Sequence, residues 1–196
     1  LVGSEMSIRD SAKGRLITTV HAEENRIPVS IDEVPVNLQN AFVAAEDVRF
    51  YEHHGVDPRG ILRAAFSNIV SGNATGQGGS TITQQLARNA FLNQEQTLKR
   101  KILEVILALK IERQYTKKQI LELYMNQIYF GQGCYGIETA SRVYFGKNAK
   151  DLTLPQAALI AGLPNSPNYY SPFRSLEAAK YRQGIVLDQM AKYGYI

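Results

Sequence analysis

The chain of 196 residues has one cysteine, Cys134, so no disulfide can form within it and packing must supply its stability in whichever redox compartment it works. No stretch approaches the roughly 20 apolar residues that a membrane span needs, and the opening LVGSEMSIRD lacks the apolar core of a signal peptide. Histidine is scarce: His53 and His54 are adjacent, and His21 is the only other. Without an HExxH pattern or a second cluster, a structural role for the pair is expected rather than a zinc centre. Neither an internal repeat nor a low-complexity segment is present.

What is present is ordinary globular material. With 44% hydrophobic and 20% charged residues, the chain can bury one substantial core. Its formal charge of +4 points to an anionic partner, but nucleic acid, lipid phosphate and an anionic membrane satisfy that equally.

Residues 15 to 31, RLITTVHAEENRIPVSI, read as two short β-rich runs around an EEN turn, with Pro28 demoting the second to an edge. Nearly everything after them reads as helix. Asp57 as N-cap, Pro58 at the first position and Gly72 past the end frame one helix, whose Ile61, Leu62, Ala65, Phe66, Ile69 and Val70 share a face. SGNATGQGGST follows, with four glycines and no apolar anchor, and is expected to be a mobile loop. Thr81 with Gln84, and Thr116 with Gln119, form capping-box patterns. A long helix is expected from about Thr97 to Gln114, another over IETASRVYF, and Thr153 and Ser175 cap the last two. The class is mainly α with a minor β element.

Three carboxylates break local rules. Glu46 and Asp47 stand at the end of a small-residue helical run, where the negative end of the helix dipole disfavours them. Glu104 lies on an apolar face with Leu107, Ala108 and Ile111, one turn after Arg100 and Lys101. It must be paired or line a polar cavity, since burying an isolated charge costs several kcal/mol. An intrahelical pair with Arg100 is the plain alternative to a functional role. The glycine loop feeding a helix N-terminus suits phosphate, with Arg88 two turns along the same helix. It is not a Walker loop, because no Gly-Lys-Ser/Thr follows, and it lacks the dinucleotide spacing.

Taken together and in order, these motifs resemble the family 51 glycosyltransferase domain of class A penicillin-binding proteins, over roughly residues 14 to 190. EDVRFYEHHG fits the first family motif at Glu46, Asp47, Phe50, His53 and Gly55; GGSTITQQ at 78–85 fits the second, and RKILE ending in Glu104 the third. ILELYMNQIYFGQGCYGIETAS and LTLPQAALIAGLPNSPNYYSP are similar to the fourth and fifth, with Pro155 a modest departure. No Ser-x-x-Lys occurs, so penicillin-sensitive transpeptidase chemistry is not expected in these residues.

The resemblance implies a lysozyme-like, two-lobed helical domain spanning residues 1–196, with a head lobe and a smaller membrane-facing lobe. It implies work at the outer face of the bacterial cytoplasmic membrane, with a transmembrane anchor and transpeptidase domain outside these residues. The implied reaction polymerises lipid II into glycan strands with inversion and release of undecaprenyl pyrophosphate. Glu46 and Glu104 are the implied catalytic carboxylates. Asp47, Phe50, His53, Ser80, Thr81, Gln84, Gln85, Arg88, Arg100, Lys101 and Asn126 are the implied substrate contacts. A divalent cation, Mg2+ or Mn2+, held by Glu46 or Glu104 through the diphosphate, is an open expectation, and no organic cofactor is implied. Expected partners are lipid II, the growing strand, the membrane surface, a phosphoglycolipid inhibitor such as moenomycin and other cell-wall synthesis proteins, but not nucleic acid. The alternatives are a lysozyme-like muramidase, which also uses two carboxylates, and a noncatalytic wall-binding module.

Overall fold

The computed structural model describes residues 7–9, 16–19, 26–63, 79–91 and 97–196. Strands β1 (Ser7–Arg9) and β2 (Leu16–Thr19) pair antiparallel, Ser7 opposite Thr19, with an irregularity between Ile8 and Arg9. The described helices are α1 (Val36–Glu46), α2 (58–63 as described), α3 (Ile82–Phe91), α4 (Leu98–Gln114), α5 (Lys117–Gln127), α6 (Ile137–Phe145), α7 (Leu154–Gly162) and α8 (Leu176–Lys192). The fold is mainly helical, as the sequence leads one to expect.

The β element departs from that expectation in its partner. Leu16–Thr19 is a strand, but it pairs with upstream Ser7–Arg9 and not with the run beyond EEN. Residues 26–30 are extended without being a strand. Pro28 has no N–H to give a ladder, and the neighbouring donors find side chains instead. Ile27 N–H donates to Thr139 Oγ1 at 3.2 Å, and Val29 N–H to Asn126 Oδ1 at 2.9 Å. Asn126 Nδ2 returns a bond to the Val29 carbonyl at 2.8 Å, and Ile31 N–H reaches Glu122 Oε2 at 2.7 Å.

Helix starts follow the caps read from the sequence. Thr116 with Gln119 and Thr153 with Gln156 form reciprocal capping boxes, while Thr97 and Ser175 accept from the N–H groups of Arg100 and Ala178. Pro155 falls in the first turn of α7, where its missing N–H costs nothing. Helix α2 begins where Asp57 and Pro58 place it; its end and the face from residue 64 to 70 lie outside the described residues, as does the glycine loop through residue 78.

Helix α1 is the hinge of the core. Leu38, Ala41, Phe42, Val43 and Ala44 are fully buried along it, and it packs against α7 and α8, while α3 packs against α4 and α5. Phe42 meets Tyr124 and Phe130 edge-on, with ring centroids 6.1 and 5.9 Å apart. Cutting such a ring back to alanine costs about 3–5 kcal/mol. The helix therefore delivers its last residue, Glu46, from a rigid mount.

Candidate active site

Asp47 caps the C-terminus of α1, its N–H donating to the Val43 carbonyl at 2.9 Å. The following turn drives Phe50 into the core, where it is inaccessible to solvent, and brings His53 back over Asp47. The His53 Nε2 atom lies 2.9 and 3.0 Å from the two Asp47 oxygens, and Gly55 N–H donates to Nδ1 at 3.2 Å. Because Nδ1 accepts, the ring proton is on Nε2, which donates to the carboxylate. The histidine is thus bonded within the scaffold, between Asp47 and Gly55.

Asp47 also accepts the Ile82 N–H at 3.0 Å. Ile82 is the first residue of α3, so a carboxylate at the unfavourable end of one helix sits at the favourable end of another. This revises the reading of the glycine loop: the α3 N-terminus already holds a protein anion. Gln84 N–H is likewise occupied by Thr81 Oγ1 at 3.1 Å, and Thr81 N–H by Gln84 Oε1 at 3.0 Å. The Thr81 hydroxyl donates to the Gly55 carbonyl at 2.7 Å. Gly55 takes φ +91°, and a Cβ there would lie 2.9 Å from the Ala108 carbonyl oxygen, so only glycine lets this turn lie against α4.

The Glu46 side chain is 9% exposed. Its Oε2 accepts from Gln85 Nε2 at 2.8 Å, and Gln85 Oε1 accepts from the Tyr124 hydroxyl at 3.3 Å. Its Oε1 is buried without a hydrogen bond, 4.0 Å from Arg182 Nη2. Burial pushes the Glu46 carboxyl above the ordinary carboxylate range, opposed by the Gln85 hydrogen bond and the charges of Arg182 and Arg88, and helped by Asp47. The direction matches the expectation from the helix end, but burial is the principal cause. Glu46 opens onto a groove of about 470 Å3 that Ser80, Gln85, Arg88, Tyr170 and Arg182 also line.

Glu104 has the opposite surroundings. It is 1% exposed, with Lys101 Nζ 2.8 Å from Oε2 and Arg100 Nε 3.4 Å from Oε1. Both intrahelical cations pair with it, not Arg100 alone. Lys101 also donates to Ser80 Oγ at 2.9 Å. Glu104, Arg100 and Lys101 do not line the groove of Glu46, and Ser80 is the residue that touches both sets.

The sequence profile of the transglycosylase family matches residues 13–191. This chain belongs to that family. It is 54% identical over 186 residues to penicillin-binding protein 1A of Escherichia coli K12, covering 95% of this chain and 22% of the relative. It is 54% identical over 185 residues to penicillin-binding protein 1A of Aquifex aeolicus, covering 94% and 25%. The crystal structure of penicillin-binding protein 1A from Haemophilus influenzae superposes with a TM-score of 0.50 at 28% identity, covering 94% of this chain and 18% of that one. The chain thus spans about a quarter or less of the length of these relatives. It is a transglycosylase domain, similar to one part of the penicillin-binding proteins 1A.

Within this transglycosylase domain the implied site residues divide in three, one group being the cluster of Glu104, Arg100 and Lys101 just described. Glu46, Asp47, Ser80, Gln85 and Arg88 meet at the groove. Phe50, His53, Thr81 and Gln84 are engaged inside the scaffold, and Asn126 clasps the extended segment at Val29. Arg182 and Tyr170, which complete the groove, were not singled out in the sequence. A lone arginine in the polar run AAKYRQ carries no local signal, and only packing of α8 on α1 brings it to Glu46.

No three His, Cys, Asp or Glu side chains cluster as a metal site among the described residues. Glu46 and Glu104 each face cations instead, which compete with a metal for the same oxygens.

Proposed function

We propose that this domain extends peptidoglycan strands by adding lipid II, with Glu46 as general base. The observation that carries this reading is a buried carboxylate, held above its ordinary pKa, opening onto a groove beside Arg88 and Arg182. A sugar hydroxyl is a poor nucleophile at neutral pH, and a positioned base contributes about 10²- to 10⁴-fold. The GlcNAc 4-hydroxyl gives its proton to Glu46 as its oxygen attacks the anomeric carbon of the other sugar. Undecaprenyl pyrophosphate leaves with the bonding electrons, inverting that centre. Pyrophosphate needs its charge stabilised more than it needs a proton, and Arg88, Arg100 and Lys101 supply cations. Glu104 fixes the last two in place.

The membrane surface is the proposed workplace, because a polyprenyl substrate stays in the bilayer. No described helix is long and apolar enough to cross a membrane. Exposed Ile61 and Leu62 on α2, and Leu98, Ile102 and Ile106 along α4, offer apolar contact instead. Moenomycin is the proposed inhibitor, and other cell-wall synthesis proteins are proposed partners. A divalent cation, if used, is proposed to arrive with the diphosphate.

Lipid II polymerisation in detergent, run beside digestion of purified sacculi, tests this reading. Polymer from lipid II, no soluble fragments from sacculi, and loss of polymer with Glu46→Gln while lipid II still binds are the expected results. Fragment release from sacculi supports the muramidase instead. Unchanged behaviour of Glu46→Gln supports a wall-binding module.

A further inference from the structure

The two oxygens of Glu46 are not equivalent. Oε2 is filled by Gln85, whose own carbonyl is fixed by the Tyr124 hydroxyl. Oε1 is buried and accepts nothing, and the cation facing it stands at 4.0 Å, outside hydrogen-bonding distance. A buried acceptor left empty is costly, and such strain is tolerated where a ligand completes the set.

Three features hold Arg182 at that distance. Its guanidinium lies over the Tyr170 ring, 5.8 Å from the centroid. Its Nε donates to the Gly162 carbonyl at 3.4 Å. Its stem passes over Gly162, where an added Cβ would come within 2.8 Å of Arg182 Cγ. Only 13% of the side chain is exposed, so this is a seated cation and not a solvated one.

We propose that Arg182 is a positioning residue: it holds the Glu46 carboxylate anionic without occupying Oε1, so that Oε1 takes the proton from the incoming sugar hydroxyl. This rests on the reading of Glu46 as the base. The hydroxyl proton moves to Oε1 as the hydroxyl oxygen bonds to the anomeric carbon and the diphosphate departs. The resulting carboxylic acid returns its proton to solvent before the next addition. A direct ion pair would make the carboxylate too weak a base, and no cation at all would leave it protonated in so dry a place. The other charges near Glu46 are Asp47 at its own helix end and Arg88 from α3; Tyr124 from α5 is held well above its ordinary pKa by burial and stays neutral.

The test is the pH profile of kcat/KM for lipid II polymerisation in wild type, Arg182→Gln, Arg182→Lys and Gly162→Ala. Removing the cation raises the Glu46 pKa, so the acid limb of Arg182→Gln moves to higher pH. Activity on that limb falls about tenfold for each unit of displacement, while the alkaline plateau recovers. Arg182→Lys restores the limb towards wild type. Gly162→Ala, which keeps the charge but displaces its stem, shifts the limb in the same direction by less and serves if Arg182→Gln fails to fold. A limb that coincides with wild type in Arg182→Gln and Gly162→Ala, or a loss uniform across pH, overturns the role of Arg182. If Glu46→Gln itself retains turnover, the base assignment falls, whatever Arg182 does.

Discussion

Glu46, the last residue of α1, and Glu104, inside α4, are both carboxylates withdrawn from solvent, yet their surroundings give them opposite characters. Glu104 is in contact with two cations one turn away on its own helix, at 2.8 and 3.4 Å. Glu46 has a neutral amide at 2.8 Å and its nearest guanidinium at 4.0 Å. At 4 Å a pair of charges interacts by about 4 kcal/mol at an effective dielectric of 20, enough to steady an anion without closing off its oxygen. On the proposed reading of Glu46, contact distance to the partner charge separates an anchor from a base.

Substitution tests that contrast directly. Glu46→Gln is expected to lower polymerisation by about 10²-fold or more with lipid II affinity retained, measured as strand formation against substrate binding. Glu104→Gln is expected to lower kcat/KM by less than Glu46→Gln and to leave the acid limb of its pH profile in place, because it loosens the Arg100 and Lys101 that steady the departing diphosphate and leaves the base intact. A displaced acid limb in Glu104→Gln would erase the distinction. Next in size, Lys101→Ala should weaken moenomycin by about tenfold or more, as loss of one charge-assisted bond to phosphate does. Lys192→Ala, on the last turn of α8, should not, and equal affinities would reject the phosphate role.

Stability should move in opposite directions at the two positions. Glu104→Gln loses one charge-assisted bond, from Lys101, and the ion pair with Arg100, and is expected to cost about 1–3 kcal/mol, discounted because the Lys101 side chain is 46% exposed and can rehydrate. Glu46 has its folded pKa above the unfolded value, so the folded state binds more protons and wild type loses stability as pH rises through that window. Glu46→Gln removes that loss. Its Tm should exceed wild type at neutral pH, by about 2–4 °C for each kcal/mol regained, and the gain should vanish below the ordinary carboxylate range. Calorimetry at two pH values measures it, and a gain that persists in acid would mean that burial is not its source.

Much of this was legible beforehand because it is written in local chemistry. Thr81 with Gln84, Thr97, Thr116, Thr153 and Ser175 mark helix starts through bonds to residues three positions away, and each begins its helix where expected. The acidic pair at 46–47 and Glu104 were visible as violations of local rules. What was not legible depends on distant segments meeting. The α3 N-terminus looked free because its occupant, Asp47, lies 35 positions earlier. Residues 26–30 looked like a strand because side chains of α5 and α6 that satisfy them are remote. Arg182 looked like surface for the same reason.

The contact between Phe42 and Tyr124 has a consequence for how such a chain can drift. Tyr124 is wedged edge-on against Phe42 in the interior, and its hydroxyl leads through Gln85 to Glu46. A conservative change in the oily centre, such as leucine for Phe42, lets the phenol tilt and loosens the amide before it melts anything.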